Sequence, residues 1–352
     1  MSQNPSNPSS LKMLLTAAAV VVIIAGLQAA GAIILPILVA IFLAVICMPP
    51  VAWLQRKGFP DWAAVVVVFI AVFVVFIGLS FVVTSSIAQF QTQLPLYEDR
   101  LQEMFNGVVT WLQSHGIEVS SANVREQFDS KRLTGLITRG LSAFTMVLSN
   151  TFLVMLTVVF VLSEAAGMPR KIRAMVGDPD ADVSWSSNVL GDLRTYLAVK
   201  TQCSLMIAIP VTIMLKLVGV DYAILWGLLA FLLNYIPNLG SIIAAIPPIL
   251  LTLLMMGLGW GIAVAIGYLA FNFIVGNMLE PRMMGRRLGL STLVVFLSMV
   301  FWGWVWGPVG MVLSVPLTMI VKILLEHTED LKWVAILLGS APEGAECSTG
   351  ES

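Results

Sequence analysis

Apolar residues run through this chain in long blocks separated by polar connections. Residues 11–48 form the first block, about 57 Å long if helical and so close to two bilayer cores of about 30 Å each. The block predicts two spans with a break near Gln28–Gly31. Residues 62–86 predict a third span and residues 141–163 a fourth. Between them, 87–140 is polar, carries charges of both signs and is helical in pattern ("YEDRLQEMFNGVVTWLQ"), which reads as a small helical domain outside the membrane. A second polar connection, 164–199, contains "PRKIR" and the loop "GDPDADVS". Further apolar blocks follow at 200–218, 222–256, 261–279 and 291–325.

Two of these blocks are interrupted by helix breakers, "NYIPNLGSIIAAIP" in 222–256 and "WGWVWGPVG" in 291–325. Lysine and arginine in short connections mark the cytoplasmic side. With a cytoplasmic N-terminus, Arg56, Lys57, Arg170, Lys171 and Arg173 fall inside, and the 87–140 domain falls outside. Arg282, Arg286 and Arg287 stay inside only if 222–256 is a hairpin that enters and leaves on one side. The same logic makes 291–325 a second hairpin and keeps the C-terminus cytoplasmic. Each arm is about 22–25 Å of helix, short of a full core, so re-entrant pairs are as compatible as full spans. A span and hairpin followed by a second span and hairpin form a weak inverted repeat, a design that places a solute site at the midplane where the breaks meet.

The expected fold is therefore all-α: a polytopic membrane protein with about eight membrane segments, broken hairpins in the C-terminal half and a small extramembrane helical domain. The expected organisation is an N-terminal three-helix membrane segment (1–86), the extracytoplasmic domain (87–140), a fourth span with a cytoplasmic connection (141–199), a C-terminal transport core (200–335) and a disordered tail (336–352). Composition agrees: 58% of the 352 residues are hydrophobic and 11% charged, with a mean hydropathy of +0.93. The polar start "MSQNPSNPSS" and the long run after it read as a retained first span rather than a cleaved signal.

Charge and chemistry remove several functions. A net charge of −1 gives no footprint for nucleic acid. Cys47, Cys203 and Cys347 are too scattered for a disulfide framework or a metal site, and His115 and His327 lie far apart. No HExxH, GxSxG or P-loop pattern is present, which argues against an intramembrane hydrolase and against direct ATP drive. The expectation is a protein that is not an enzyme and needs no cofactor or metal.

Polar groups inside apolar blocks carry the candidate chemistry. Pro237 and Gly240 interrupt helical hydrogen bonding and free backbone groups at membrane depth, where such groups persist only against protein or a wet cavity. Asn234, Asn238 and Ser241 add side-chain donors and acceptors there; they either hold a solute or cap the two arms. Asn272 and Asn277 lie in the next span, and Asn277 is three residues from Glu280, one helix face. A carboxylate at the membrane edge either couples to an ion or pairs with Arg282 or Arg286. Trp302 and Trp306 are either part of an interfacial aromatic belt or a stacking wall for a ligand, beside Gly303, Gly307 and Gly310, which allow close backbone approach.

The stretches "NYIPNLGSIIAAIPPILLTLL" and "GNMLEPRMMGRRLGLSTLVVFLSMVFWGWVWGPVGMVLSVPLTMIVKILLE" resemble the AI-2E family of bacterial inner-membrane proteins, and most closely its autoinducer-2 exporter branch. The resemblance covers nearly the whole chain, with its specific motifs in the C-terminal half. It implies export of a small polar quorum-sensing signal and homo-oligomerisation, with pentamers among the family's assemblies. It also admits sodium/proton antiport, which other members of the family perform. A reading of another class, a membrane scaffold or sensor that binds a partner through 87–140, would leave the hairpin amides dispensable.

Overall fold

The computed structural model describes residues 8–115, 135, 151–165, 184–237, 239–284, 290–326 and 332–339. Every element among them is helical, and several helices are long and apolar enough to cross a membrane. They are α1 (Pro8–Ala29), α2 (Gly31–Arg56), α3 (Asp61–Ser114), α4 (Thr151–Ala165), α5 (Ser184–Val218), α6 (Ala223–Leu233), α7 (Leu239–Met256), α8 (Leu258–Phe273), a π turn (Ile274–Leu279), α9 (Glu280–Met284), α10 (Thr292–Glu326) and α11 (Lys332–Leu338). The chain divides into two compact units, one of Met1–Leu43 with Gly289–Ser352 and one of Ala44–Leu288.

In the larger unit, α5, α6, α7 and α8 form an antiparallel series joined by very short turns. Gly219 ends α5 with φ 88° and with its own and the next amide bonded back to Leu215, the left-handed cap that glycine reaches without a Cβ penalty. Gly257, at φ 90°, is the single residue between α7 and α8. The fold-back there is tight, because a Cβ on Gly261 would lie 3.0 Å from the Leu253 side chain, whereas residues eight apart on one straight helix are about 12 Å apart.

The third span and the start of the expected 87–140 domain belong to one helix. α3 has 54 residues with Pro95 inside it, about 81 Å of rod. The composition change after residue 86 is therefore a change of surroundings along a continuous element. α3 packs against α4, α6 and α7, and Phe90 meets the rings of Tyr97, Tyr222 and Trp226 at centroid distances of 5.6, 6.1 and 6.3 Å. Apart from Gly135, the rest of 87–140 beyond residue 115 lies outside the described residues, as do 141–150 and the 336–352 tail beyond Gly339.

In the smaller unit, α10 is two helices meeting at a kink, where Trp306 (φ −131°, ψ 15°) and Gly307 (φ 66°, ψ −150°) leave helical geometry. Pro308 follows and has no amide to continue the ladder. The arms fold back on each other: a Cβ on Gly310 would collide with the Trp302 carbonyl, and one on Gly303 would lie 2.7 Å from the Met311 side chain. The expected break at Gln28–Gly31 is also present, as α1 ends at Ala29 and α2 begins at Gly31. It is a bend rather than a hairpin, for Ala30 keeps hydrogen bonds to Gly26 and from Ile34, so the helical ladder runs on through the break.

Candidate functional site

The interrupted block 222–256 folds as two helices, α6 and α7, joined through Asn234–Asn238. Pro237 explains the interruption, since it has no N–H and pushes Ile236 away from helical ψ. The freed backbone groups are taken up locally: Tyr235 N donates to Leu232 O (3.3 Å), Ile236 N to Leu233 O (2.8 Å) and Gly240 N to Ile236 O (3.3 Å). Gly240 is buried and lies where any Cβ would strike the Leu233 carbonyl, so the arms close only because position 240 has no side chain.

The tip of this hairpin is held against α5. The buried Asn234 donates from Nδ2 to Ser204 Oγ at 3.0 Å, and the hydroxyls of Tyr235 and Thr201 lie 2.7 Å apart. Closer to the Gly219 turn, Gly227 sits against the Thr212 side chain. The pairs climb α5 evenly away from that turn, which fixes α6 antiparallel to α5. Thr201 and Ser204 lie about 22–27 Å along α5 from Gly219, close to a full hydrocarbon thickness of about 30 Å. Along α5 the break therefore lies at the opposite end from the Gly219 turn, beyond the outward-facing Leu205, Ile209, Ile213 and Leu217.

A second neighbour reaches the same level of α5. α8, the π turn and α9 run antiparallel to it, with Gly267 against Met214, Cys203 Sγ 4.0 Å from Met283 Sδ, and Lys200 Nζ 2.7 Å from Glu280 Oε1. The Lys200 side chain is 7% exposed and that of Glu280 19%. Within about one turn of α5, Lys200, Thr201 and Ser204 therefore join the hairpin tip to an intramembrane carboxylate. Attraction between such desolvated charges is strong, and so is the penalty for removing one of them.

The expected partners of Glu280 were Arg282 or Arg286. Among the described residues the partner is Lys200, eighty positions earlier in the chain, and Arg282 does not pair with Glu280; Arg286 lies outside them. Nor do Asn277 and Glu280 share a face. A π turn closes i→i+5 and inserts one residue into the helical count, so Asn277 is exposed while Glu280 turns inward to α5.

The other candidates are distributed. Asn238 lies outside the described residues, Pro237 is half-buried in the tip, and Ser241 is half-buried at the start of α7. Asn272 is on α8, about 12 Å along the axis from Glu280; its Nδ2 donates to Tyr268 O at 2.8 Å, and its buried Oδ1 has no hydrogen-bond partner among the described residues. Trp302 and Trp306 belong to the smaller unit. Both are buried, stacked with centroids 5.0 Å apart, and have their indole N–H groups engaged: Trp302 Nε1 donates to Thr318 Oγ1 (3.1 Å) and Trp306 Nε1 to Leu27 O (2.9 Å). Both are packed inside protein, whereas Trp304, at 64% exposed, faces outward. Leu27 is just ahead of the α1–α2 bend, so the indole caps a carbonyl that the bend sets free, with Gly31 Cα close to the same ring.

Sequence reasoning missed Lys200, Thr201, Ser204 and Tyr235. Their signal was the i, i+1, i+4 grouping of polar residues at the head of an apolar run, which puts all three α5 residues on neighbouring positions of one turn.

Comparisons with known proteins agree with this architecture. A model of the AI-2E family transporters matches residues 17–330. A putative transport protein of Haemophilus influenzae is 41% identical over 338 residues, covering 94% of this chain and 97% of the relative. The AI-2 transport protein TqsA of Escherichia coli K12 is 39% identical over 330 residues (94% and 96%), and the putative transport protein YhhT of the same organism is 37% identical over 331 residues (94% and 95%). With a helical polytopic fold, a broken hairpin docked on a charged level of α5 and full-length likeness to these proteins, the chain belongs to the AI-2E transporter family and is a multi-pass membrane transporter.

Proposed function

We propose that this chain is a secondary transporter that moves a small oxygen-rich signal, autoinducer-2, outward across a bacterial inner membrane, acting as a homo-oligomer with both termini cytoplasmic. The observation that carries the reading is the docking of the α6–α7 tip on α5 through Asn234–Ser204 and Tyr235–Thr201, beside the Lys200–Glu280 pair. That level concentrates hydroxyl, amide and charged groups in an otherwise apolar bundle, which is the inventory needed to replace water around a polyhydroxylated solute. The likeness to a protein named for AI-2 transport supports the substrate; the relatives named only as putative transport proteins leave the reading to rest on this chemistry.

A second reading, sodium/proton antiport, is favoured by one observation, a half-buried carboxylate within a bundle of apolar helices. The two are separated in sealed vesicles containing only this protein, by following labelled autoinducer-2 and internal pH with and without imposed sodium and proton gradients. Autoinducer-2 movement above that of protein-free vesicles is the expected result. Sodium-dependent proton flux with no solute movement would replace the first reading with the second.

A further inference from the structure

Among the described residues the Lys200–Glu280 pair uses only part of its hydrogen-bonding capacity. An ammonium has three donors and a carboxylate accepts at two oxygens. Among the described residues the one hydrogen bond that Lys200 Nζ makes is to Glu280 Oε1. Among the described residues, two donors of Lys200 and the second oxygen of Glu280 have no further partner, although the lysine side chain is 7% exposed. A buried pair kept for cohesion alone is weak unless its remaining hydrogen-bonding capacity is filled, and an apolar pair of similar volume serves as well. The half-used pair sits directly beside the two polar contacts that seat the hairpin tip, on residues Thr201 and Ser204 of the same turn. The π turn at Ile274–Leu279 is what faces Glu280 toward Lys200, a helix irregularity of the kind that recurs at functional sites.

We propose that Lys200 is the solute-recognising charge of the transport site: its ammonium is held by Glu280 when no solute is present and donates to an oxygen acceptor of the solute during passage. This rests on the reading of the chain as a transporter of an oxygen-rich solute and deepens it by fixing the substrate class. With a lysine neutralising the carboxylate, the level carries ammonium donors and no net negative charge, so it takes neutral or anionic, acceptor-rich solutes and disfavours cations. Glu280 is then a positioning residue that keeps the lysine aimed.

The test uses the purified full-length protein in sealed vesicles, labelled autoinducer-2 as probe, and thermal unfolding in detergent as the fold control. Lys200→Met and Glu280→Gln alone are expected to lower both melting temperature and transport, because each strands a charge. The double variant, Lys200→Met with Glu280→Gln, is expected to recover melting temperature yet to transport about ten- to hundredfold more slowly, the effect of losing one or two charge-assisted hydrogen bonds to the solute. Lys200→Arg keeps the ion pair but changes donor geometry, so its KM is expected to rise several-fold with an unchanged fold. A double variant that transports within about twofold of wild type, or a Lys200→Arg variant with unaltered KM, would overturn the proposal, since a mere structural pair moves neither readout. Wild-type protein that moves no autoinducer-2 above protein-free vesicles sinks the transport reading itself, and this inference with it, independently of any variant.

Discussion

The two broken hairpins solve one problem in opposite ways. Both α6–α7 and the two arms of α10 interrupt an apolar helix with a proline, and both close on a glycine, Gly240 against the Leu233 carbonyl and Gly310 against the Trp302 carbonyl. The first hairpin then fastens its tip, through the Asn234 amide and the Tyr235 hydroxyl, to two hydroxyls of a neighbouring helix that also holds an ion pair. The second fastens its tip with stacked indoles, one bonded within the hairpin and one to the carbonyl at the α1–α2 bend. An indole has one donor and a broad apolar surface, so the aromatic tip is internally complete and leaves no surplus polarity. The polar tip leaves charged donors and acceptors over. Of two similar breaks in the chain, the one with unused capacity is the candidate for solute chemistry, and the other is built for cohesion.

That contrast can be broken by substitution, with detergent-solubilised protein followed by thermal or denaturant unfolding. The largest effect is expected at the ion pair: Lys200→Met leaves the Glu280 carboxylate without its partner in a desolvated setting and should cost about 3 kcal/mol or more, while no single change at the aromatic tip should equal it. Next come the closing glycines. Gly240→Ala and Gly310→Ala each push a methyl into a backbone carbonyl that cannot rotate away, for about 1–3 kcal/mol apiece, whereas Gly276→Ala, with open space at its Cβ, should be silent. Equal losses at 240 and 310 would sharpen the view that closure is the shared part of the two designs. Asn234→Ala removes the amide donor and strands Ser204, which is 0% exposed, and should cost about 1–2 kcal/mol; a Ser204→Ala background should remove most of that loss. The smallest effect is expected for Trp306→Phe, which keeps a ring in the stack and loses the bond to Leu27, about 1 kcal/mol. A Trp306→Phe loss larger than that of Lys200→Met would invert the comparison.

Much of the architecture was legible because its causes are local. Proline has no amide and Gly307 adopts a φ, ψ combination that side chains disfavour, so both hairpins could be read from "YIPNLG" and "WGPVG" without any knowledge of neighbours. The bend at Ala30 was legible for a similar reason, since the apolar block was too long for one span, although its form was not: a bend and a hairpin have the same length signature. What was not legible depends on distant partners. Lys200 stands at the head of an apolar block, and nothing near it in sequence hints at a carboxylate eighty positions on. The rotation of Asn277 away from Glu280 was hidden because a π turn has no residue signature, and the helical count used to place the two on one face silently assumes i→i+4 bonding. The buried setting of Trp302 and Trp306 was likewise out of reach, since tryptophan near glycine is equally at home in an aromatic belt.

The linker Gly257 has a mechanical meaning. With one residue between α7 and α8, and with Gly261 already against Leu253, the joint contains no slack. An axial slide of α7 must drag α8 along, and through the π turn it must tug on Glu280. Backbone ladder bonds are missing at the proline tip and at Pro247 and Pro248 within α7, and the coil is widened in the π turn, so the amide-bearing loop and the carboxylate are the two ends of one coupled helix pair whose give lies inside α7 as well as at its ends.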